Sequence, residues 1–83
     1  MHLSIMTPEG IFFEGETSSV IVPAENGQMG ILNNHAPLIS SLTHGSITYE
    51  KKGRKHRISI NSGLVEVNHN KVIILTDHID RKV

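Results

Sequence analysis

Residues 27–45 read GQMGILNNHAPLISSLTHG. The run contains no Asp, Glu, Lys or Arg, yet Asn33, Asn34, His35 and Pro37 stand at its centre. A solvated loop usually carries charge, and a plain core strand does not hold Asn-Asn-His in its middle. The reading that fits is two apolar strands, around Gly27–Leu32 and Pro37–Leu42, flanking a tight polar turn. Uncharged strand surface with polar anchors around it suits burial against another protein.

The same alternation extends in both directions. Leu3–Met6, Ile11–Glu14 and Ser18–Val22 read as strands on the N-terminal side, with Thr7-Pro8-Glu9-Gly10 as a turn, Pro23 as a stop and Ala24-Glu25-Asn26-Gly27 as a loop. On the C-terminal side, Ser46–Lys51 places Ile47 and Tyr49 on one face. Arg57–Asn61 turns Ile58 and Ile60 inward, and Leu64–Asn68 is a half-buried strand. Lys52-Gly53 and His69-Asn70 are turns. Lys71–Thr76 carries the run Val72-Ile73-Ile74-Leu75, which reads as a central strand covered on both faces. No stretch shows 3.6-residue apolar periodicity over three turns. The expected fold is all-β, a flattened β-sandwich or barrel of about ten short, mostly antiparallel strands, with residues 1–83 as one domain.

Composition narrows the function. Eight acidic and eight basic side chains cancel, which argues against a general nucleic-acid or membrane binder. With no cysteine there is no disulfide framework or zinc-finger pattern. A chain of this size buries only about 60–65% of its unfolded surface, so its stability margin is thin. The N-terminus MHLSIMTPEG lacks a basic start followed by an apolar core, and no segment resembles a spanning helix. The expectation is a soluble cytoplasmic protein.

Candidate chemistry is sparse. The six histidines, His2, His35, His44, His56, His69 and His78, form no i, i+2 or i, i+4 pair, so metal ligation is not expected. There is no nucleophile turn and no phosphate-binding glycine loop. Glu14 and Glu16 flank Gly15 in what reads as a turn, as solvated charge. Met29 suits either core or interface. Lys51, Lys52, Arg54, Lys55 and Arg57 form a basic cluster. It reads as a solvated hairpin tip, whose charges also discourage edge pairing. The alternative is a small nucleic-acid-binding barrel using the Lys51–Arg57 hairpin, but such barrels need exposed aromatics among the cations, and only Tyr49 lies near.

Four segments carry a family resemblance in order: TPEGIFFEGE at 7–16, SSVIVPAENGQMGIL at 18–32, HAPLISSLTHG at 35–45 and INSGLVEVNHNKVIILTD at 60–77. Together they resemble the N-terminal β-sandwich domain of the epsilon subunit of F-type ATP synthases, called delta in mitochondria. Asn33-Asn34 stand where the family often has Pro-Gly, a change a left-handed Asn tolerates. Ser62-Gly63 stand for its Gly-Gly, leaving one unrestricted backbone position. Family members continue into a C-terminal helical hairpin, which is not expected in residues 1–83. Ile79-Asp80 is followed directly by Arg81, so nucleotide binding is not carried over.

The resemblance implies a non-catalytic rotor subunit of the central stalk, without cofactor or metal, coupling ion translocation to ATP synthesis. It implies the gamma subunit and the c-ring as partners, and a peripheral place on the cytoplasmic face of the bacterial inner membrane. By motif matching, Thr7, His35, Ala36, Pro37, Ser40 and Asn61 fall where the family meets gamma. Gly27, Gln28 and Met29 fall on the loop that meets the c-ring, where many members have an acidic residue at the Gln28 position. His35 also has a structural reading, as a turn residue that bonds backbone.

Overall fold

A computed structural model describes residues 1–80. Ten strands follow one another: β1 (His2–Thr7), β2 (Gly10–Glu16), β3 (Ser19–Ala24), β4 (Gly27–Leu32), β5 (Leu38–Leu42), β6 (Gly45–Lys51), β7 (Arg54–Ile60), β8 (Gly63–Asn68), β9 (Lys71–Thr76) and β10 (Ile79–Asp80). They hydrogen-bond in the order β10-β7-β6-β3-β5-β8-β9-β1-β2, with β4 on β3. The sheet curls on itself, as the all-β expectation required. Every pairing is antiparallel except β1 with β9.

The core comes from alternate residues of nearly every strand. Leu3 and Ile5, Val20 and Val22, Ile31, Ile47 and Tyr49, Ile58 and Ile60, Val65 and Val67, and Val72 and Ile74 are all buried. Each buried aliphatic side chain contributes roughly 1.5–3 kcal/mol. Two hairpins close through two-residue turns, Lys52-Gly53 and His69-Asn70, all four residues at positive φ, as a type I′ turn demands. Asn34 has φ 64°, the left-handed conformation expected where the family has Pro-Gly.

Three expectations need correction. Pro23 does not stop β3: the strand continues to Ala24, with Pro23 in register with Gln28. The Pro23 carbonyl accepts from Thr43 N at 2.9 Å. Its missing N–H therefore faces the place where β3 passes from β6 to β5, and no ladder bond is lost. Glu14 and Glu16 lie within β2 and not in a turn, and both carboxylates reach His2, at 3.1 and 3.3 Å. Finally, β9 is covered on one face only. Val72, Ile74 and Thr76 are buried, while Leu75 on the other face is 46% exposed.

Candidate functional site

The turns collect at two ends of the molecule: Pro8, Gly63 and Asp77 share a hollow at one, where Thr76 Oγ1 donates to the Ser62 carbonyl, and Thr17, Asn33 and Lys52 share a hollow at the other, where Asn34 meets Asn70. One end holds Pro8-Glu9, Glu25-Asn26, Thr43-His44, Asn61-Ser62 and Asp77-His78; the other holds Thr17-Ser18, the Asn33–Pro37 link, Lys52-Gly53 and His69-Asn70. Thr7, Asn61 and the Gly27-Gln28-Met29 stretch thus belong to the first end, and His35 to the second. Asn34 N donates to Asn70 Oδ1 at 2.8 Å, and Asn33 Oδ1 accepts from the Met1 α-amino nitrogen at 2.6 Å. These bonds hold the Asn-Asn-His turn to the neighbouring hairpin. His35 is half-buried, and its Nδ1 donates to the Ala36 carbonyl at 2.8 Å. Its backbone-bonding reading therefore has a direct geometric basis.

Ala36 and Pro37 are exposed in the link to β5. Ser40 pairs with Val65 and shares the face of Leu38 and Leu42, so it points inward and is half-buried. Ile39 and Ser41 take the outward face. Asn61 is exposed in its turn, and Thr7 lines an open hollow with Met6, Pro8, Gly63, Leu64 and Leu75. The motif-matched positions are thus spread over both ends and do not form one cluster.

What the fold does bring together is an apolar stripe. Register places Ile11 beside Met6, Met6 beside Leu75, and Leu75 beside Leu64, across four adjacent strands. Ile11 is 61% exposed, Leu75 46% and Leu64 39%. Ile39, 69% exposed, adds to the same outer face one row away. A contiguous exposed apolar surface of this kind marks an interaction site. Sequence reading missed Ile11, Met6, Leu64 and Leu75. The available signal was the run Val72–Leu75, since a strand with four successive apolar residues must cover its second face or offer it to a partner.

The zero net charge conceals an uneven placement of the cations, although acidic side chains stand at both ends, with Glu16 and Glu50 near Lys52 at the second. Glu9, Glu25 and Asp77 occupy the first end, and no Lys or Arg lies there among the described residues. Lys51, Lys52, Arg54 and Lys55 are exposed at the second end, on the β6–β7 hairpin. At its base Tyr49 packs on Phe13 at 4.6 Å and stacks with His56 at 5.4 Å, while Lys51 Nζ lies 5.7 Å from the Phe13 ring centroid. Tyr49 is buried and Phe13 packs against the core, so these rings do not form an open platform for stacked bases. Among the described residues no three His, Cys, Asp or Glu side chains group to hold a metal ion. Among the described residues no helix is long and apolar enough to cross a membrane.

The family model for the ATP synthase delta/epsilon chain β-sandwich domain matches residues 1–82. The chain belongs to this family. An ATP synthase epsilon chain of Leptospira borgpetersenii is 42% identical over 78 residues, covering 94% of this chain and 61% of the relative. One from Desulfitobacterium hafniense is 47% identical over 75 residues, covering 90% and 57%. The chain thus spans about three fifths of the length of these relatives. In the Euglena gracilis mitochondrial ATP synthase structure with OSCP, F1 and c-ring, one chain matches with TM-score 0.87 and 23% identity. The match covers 94% of this chain and 51% of that one. The Tetrahymena thermophila mitochondrial ATP synthase central stalk and c-ring structure gives TM-score 0.84 at 17% identity, over 98% and 66%. At these identities the two structures speak for the fold alone. As a delta/epsilon-type β-sandwich, the domain has its apolar stripe on the outside, where an assembly partner can reach it.

Proposed function

We propose that this chain is the non-catalytic epsilon-type subunit of an F-type ATP synthase rotor, linking the gamma subunit to the c-ring. In this reading it works at the cytoplasmic face of a bacterial inner membrane, peripheral to the bilayer. The observation that carries the reading is the Ile11–Met6–Leu75–Leu64 stripe on a domain of this family. The described residues offer a docking face, and no constellation among them has the geometry of a catalytic centre. Torque from ion translocation has to pass from ring to stalk without slip. A densely packed β-sandwich suits this, because packed interiors deform little under load.

The stripe is the proposed gamma-facing surface, and the Gly27-Gln28-Met29 turn the proposed c-ring contact. The test is calorimetric titration of the wild-type chain and a Leu64→Glu variant against the gamma subunit of the same enzyme. Leu64 faces outward, so the variant should melt within a few degrees of wild type. It should lose about 2 kcal/mol of binding, roughly thirty-fold in Kd. A folded wild type that fails to bind gamma would sink the proposal.

A further inference from the structure

Six of the seven glycines are explained within the chain. Each has either a positive φ or a neighbouring atom that a Cβ would meet at 3.3 Å or closer. Gly30 has neither: its φ is ordinary, and a Cβ there would meet nothing within 4 Å. A strand glycine weakens its own element, and where the fold does not need it, it often marks the close approach of another backbone. Gly30 lies between exposed Gln28 and Leu32, on the side of β4 opposite the buried Ile31. Leu32 is 64% exposed. The missing side chain therefore leaves a notch, floored by Ile21 of β3, its register partner.

The backbone of β4 is open at the same place. Among the described residues it pairs only with β3. The Pro23 carbonyl is engaged by Thr43 N on the far side of β3, so Pro23 and its partner Gln28 do not bond to each other. In an antiparallel ladder such pairs alternate. The N–H and C=O of Gln28, and two residues on those of Gly30, therefore point away from β3. Three other edges are blunted: β2 carries Glu14 and Glu16, β10 has two residues, one of them Asp80, and the stretch of β7 beyond β10 carries Arg54, Lys55 and Arg57. The Leu38–Ser41 edge of β5, which meets β3 only at Leu42, is uncharged like β4 but has no glycine notch. β4 has six residues and no charge. Natural sheets rarely leave such an edge unprotected unless it is used.

We propose that the β4 edge receives an extended segment of the stalk partner, which adds a strand beside Gln28–Gly30 and seats an apolar side chain in the Gly30 notch against Leu32. This deepens the gamma-binding reading and rests on it. A second copy of the chain is the poorer occupant. Two six-residue edges meeting would bury far less than the roughly 800 Å² per partner that a stable complex needs. A strand of a partner already held at another surface needs no such area, since tethering raises its local concentration.

The test is calorimetry against gamma with wild type and Gly30→Val, together with amide hydrogen exchange of the wild-type chain, free and bound. Val suits a strand, so the variant should melt at or above the wild-type temperature while losing at least tenfold in affinity. In the wild-type complex the Gln28 and Gly30 amides should exchange at least tenfold more slowly than in the free chain. Should the variant bind normally, or those two amides exchange equally fast in the complex, the edge proposal fails and gamma binding stands. If Gly30→Val does not fold, the exchange comparison alone decides. Wild type that does not bind gamma overturns both readings. A wild-type dimer at micromolar concentration that Gly30→Val dissociates would make the second copy the occupant and overturn this one.

Discussion

At the residue scale, three positions show how local chemistry is spent. Gly63 was read as a site of backbone freedom, but its φ is ordinary and its role is space. A Cβ there would sit 2.5 Å from the Leu75 carbonyl oxygen. Gly63→Ala should cost about 1–3 kcal/mol through forced strand separation, read as a lower denaturation midpoint. Lys52 holds φ 52° at a hairpin turn, where a side chain with a Cβ is disfavoured by roughly 1–2 kcal/mol. Lys52→Asn should recover roughly 0.5–1 kcal/mol of this, since Asn tolerates the left-handed region. Thr17 is buried, and its hydroxyl donates to the Ser19 carbonyl at 3.0 Å while accepting from Glu50 N at 3.2 Å. Thr17→Val keeps the shape but strands the Glu50 N–H, for about 1–3 kcal/mol in a denaturation experiment.

At the element scale, β8 and β9 do two jobs with alternating faces. Their inward residues, Val65, Val67, Val72 and Ile74, build the core, and their outward Leu64 and Leu75 build the docking stripe. The two jobs should separate on mutation. Ile74→Ala should cost about 2–5 kcal/mol of stability, a large part of the roughly 4–12 kcal/mol available to a domain of this size. Leu64→Glu should change stability by no more than about 0.5 kcal/mol. Equal destabilisation in urea titrations of the two variants would move Leu64 from the docking face into the structural core. β3 shows the same economy at an edge change, since Pro23 sits where a missing N–H costs nothing.

At the scale of the whole molecule, the one parallel pairing among the described residues, β1 beside β9, ties the start of the chain to its late strands. That contact joins residues near 2–6 to residues near 71–75, so most of the chain must be ordered before it forms. Folding through such long-range pairing is slow, on the order of milliseconds to seconds. Stopped-flow circular dichroism should find refolding in that range. A chain cut after Asn70 loses β9 from between β1 and β8 and should show a coil spectrum. A folded spectrum from that truncation would mean that β1 closes the core without β9.

Much of this protein is decided locally and was readable in order. Period-two alternation sets the strands because successive side chains in an extended chain face opposite ways, so Ile47, Tyr49, Ile58 and Ile60 declare their burial. Turn residues set the hairpins because only certain side chains tolerate positive φ, which is why Asn34, Gly53 and Asn70 fall where they do. The motif order was likewise legible, and the family match follows it. What the sequence could not show is which apolar face stays uncovered. The runs Ile11–Phe13 and Val72–Leu75 look alike until strand register places Ile11, Met6, Leu75 and Leu64 side by side. Nor could it show that one end lacks cations among the described residues, that Ser40 points inward, or that Gly30 alone has no use inside the chain. These depend on which strands become neighbours, and burial of a side chain is a property of its neighbours rather than of its own chemistry.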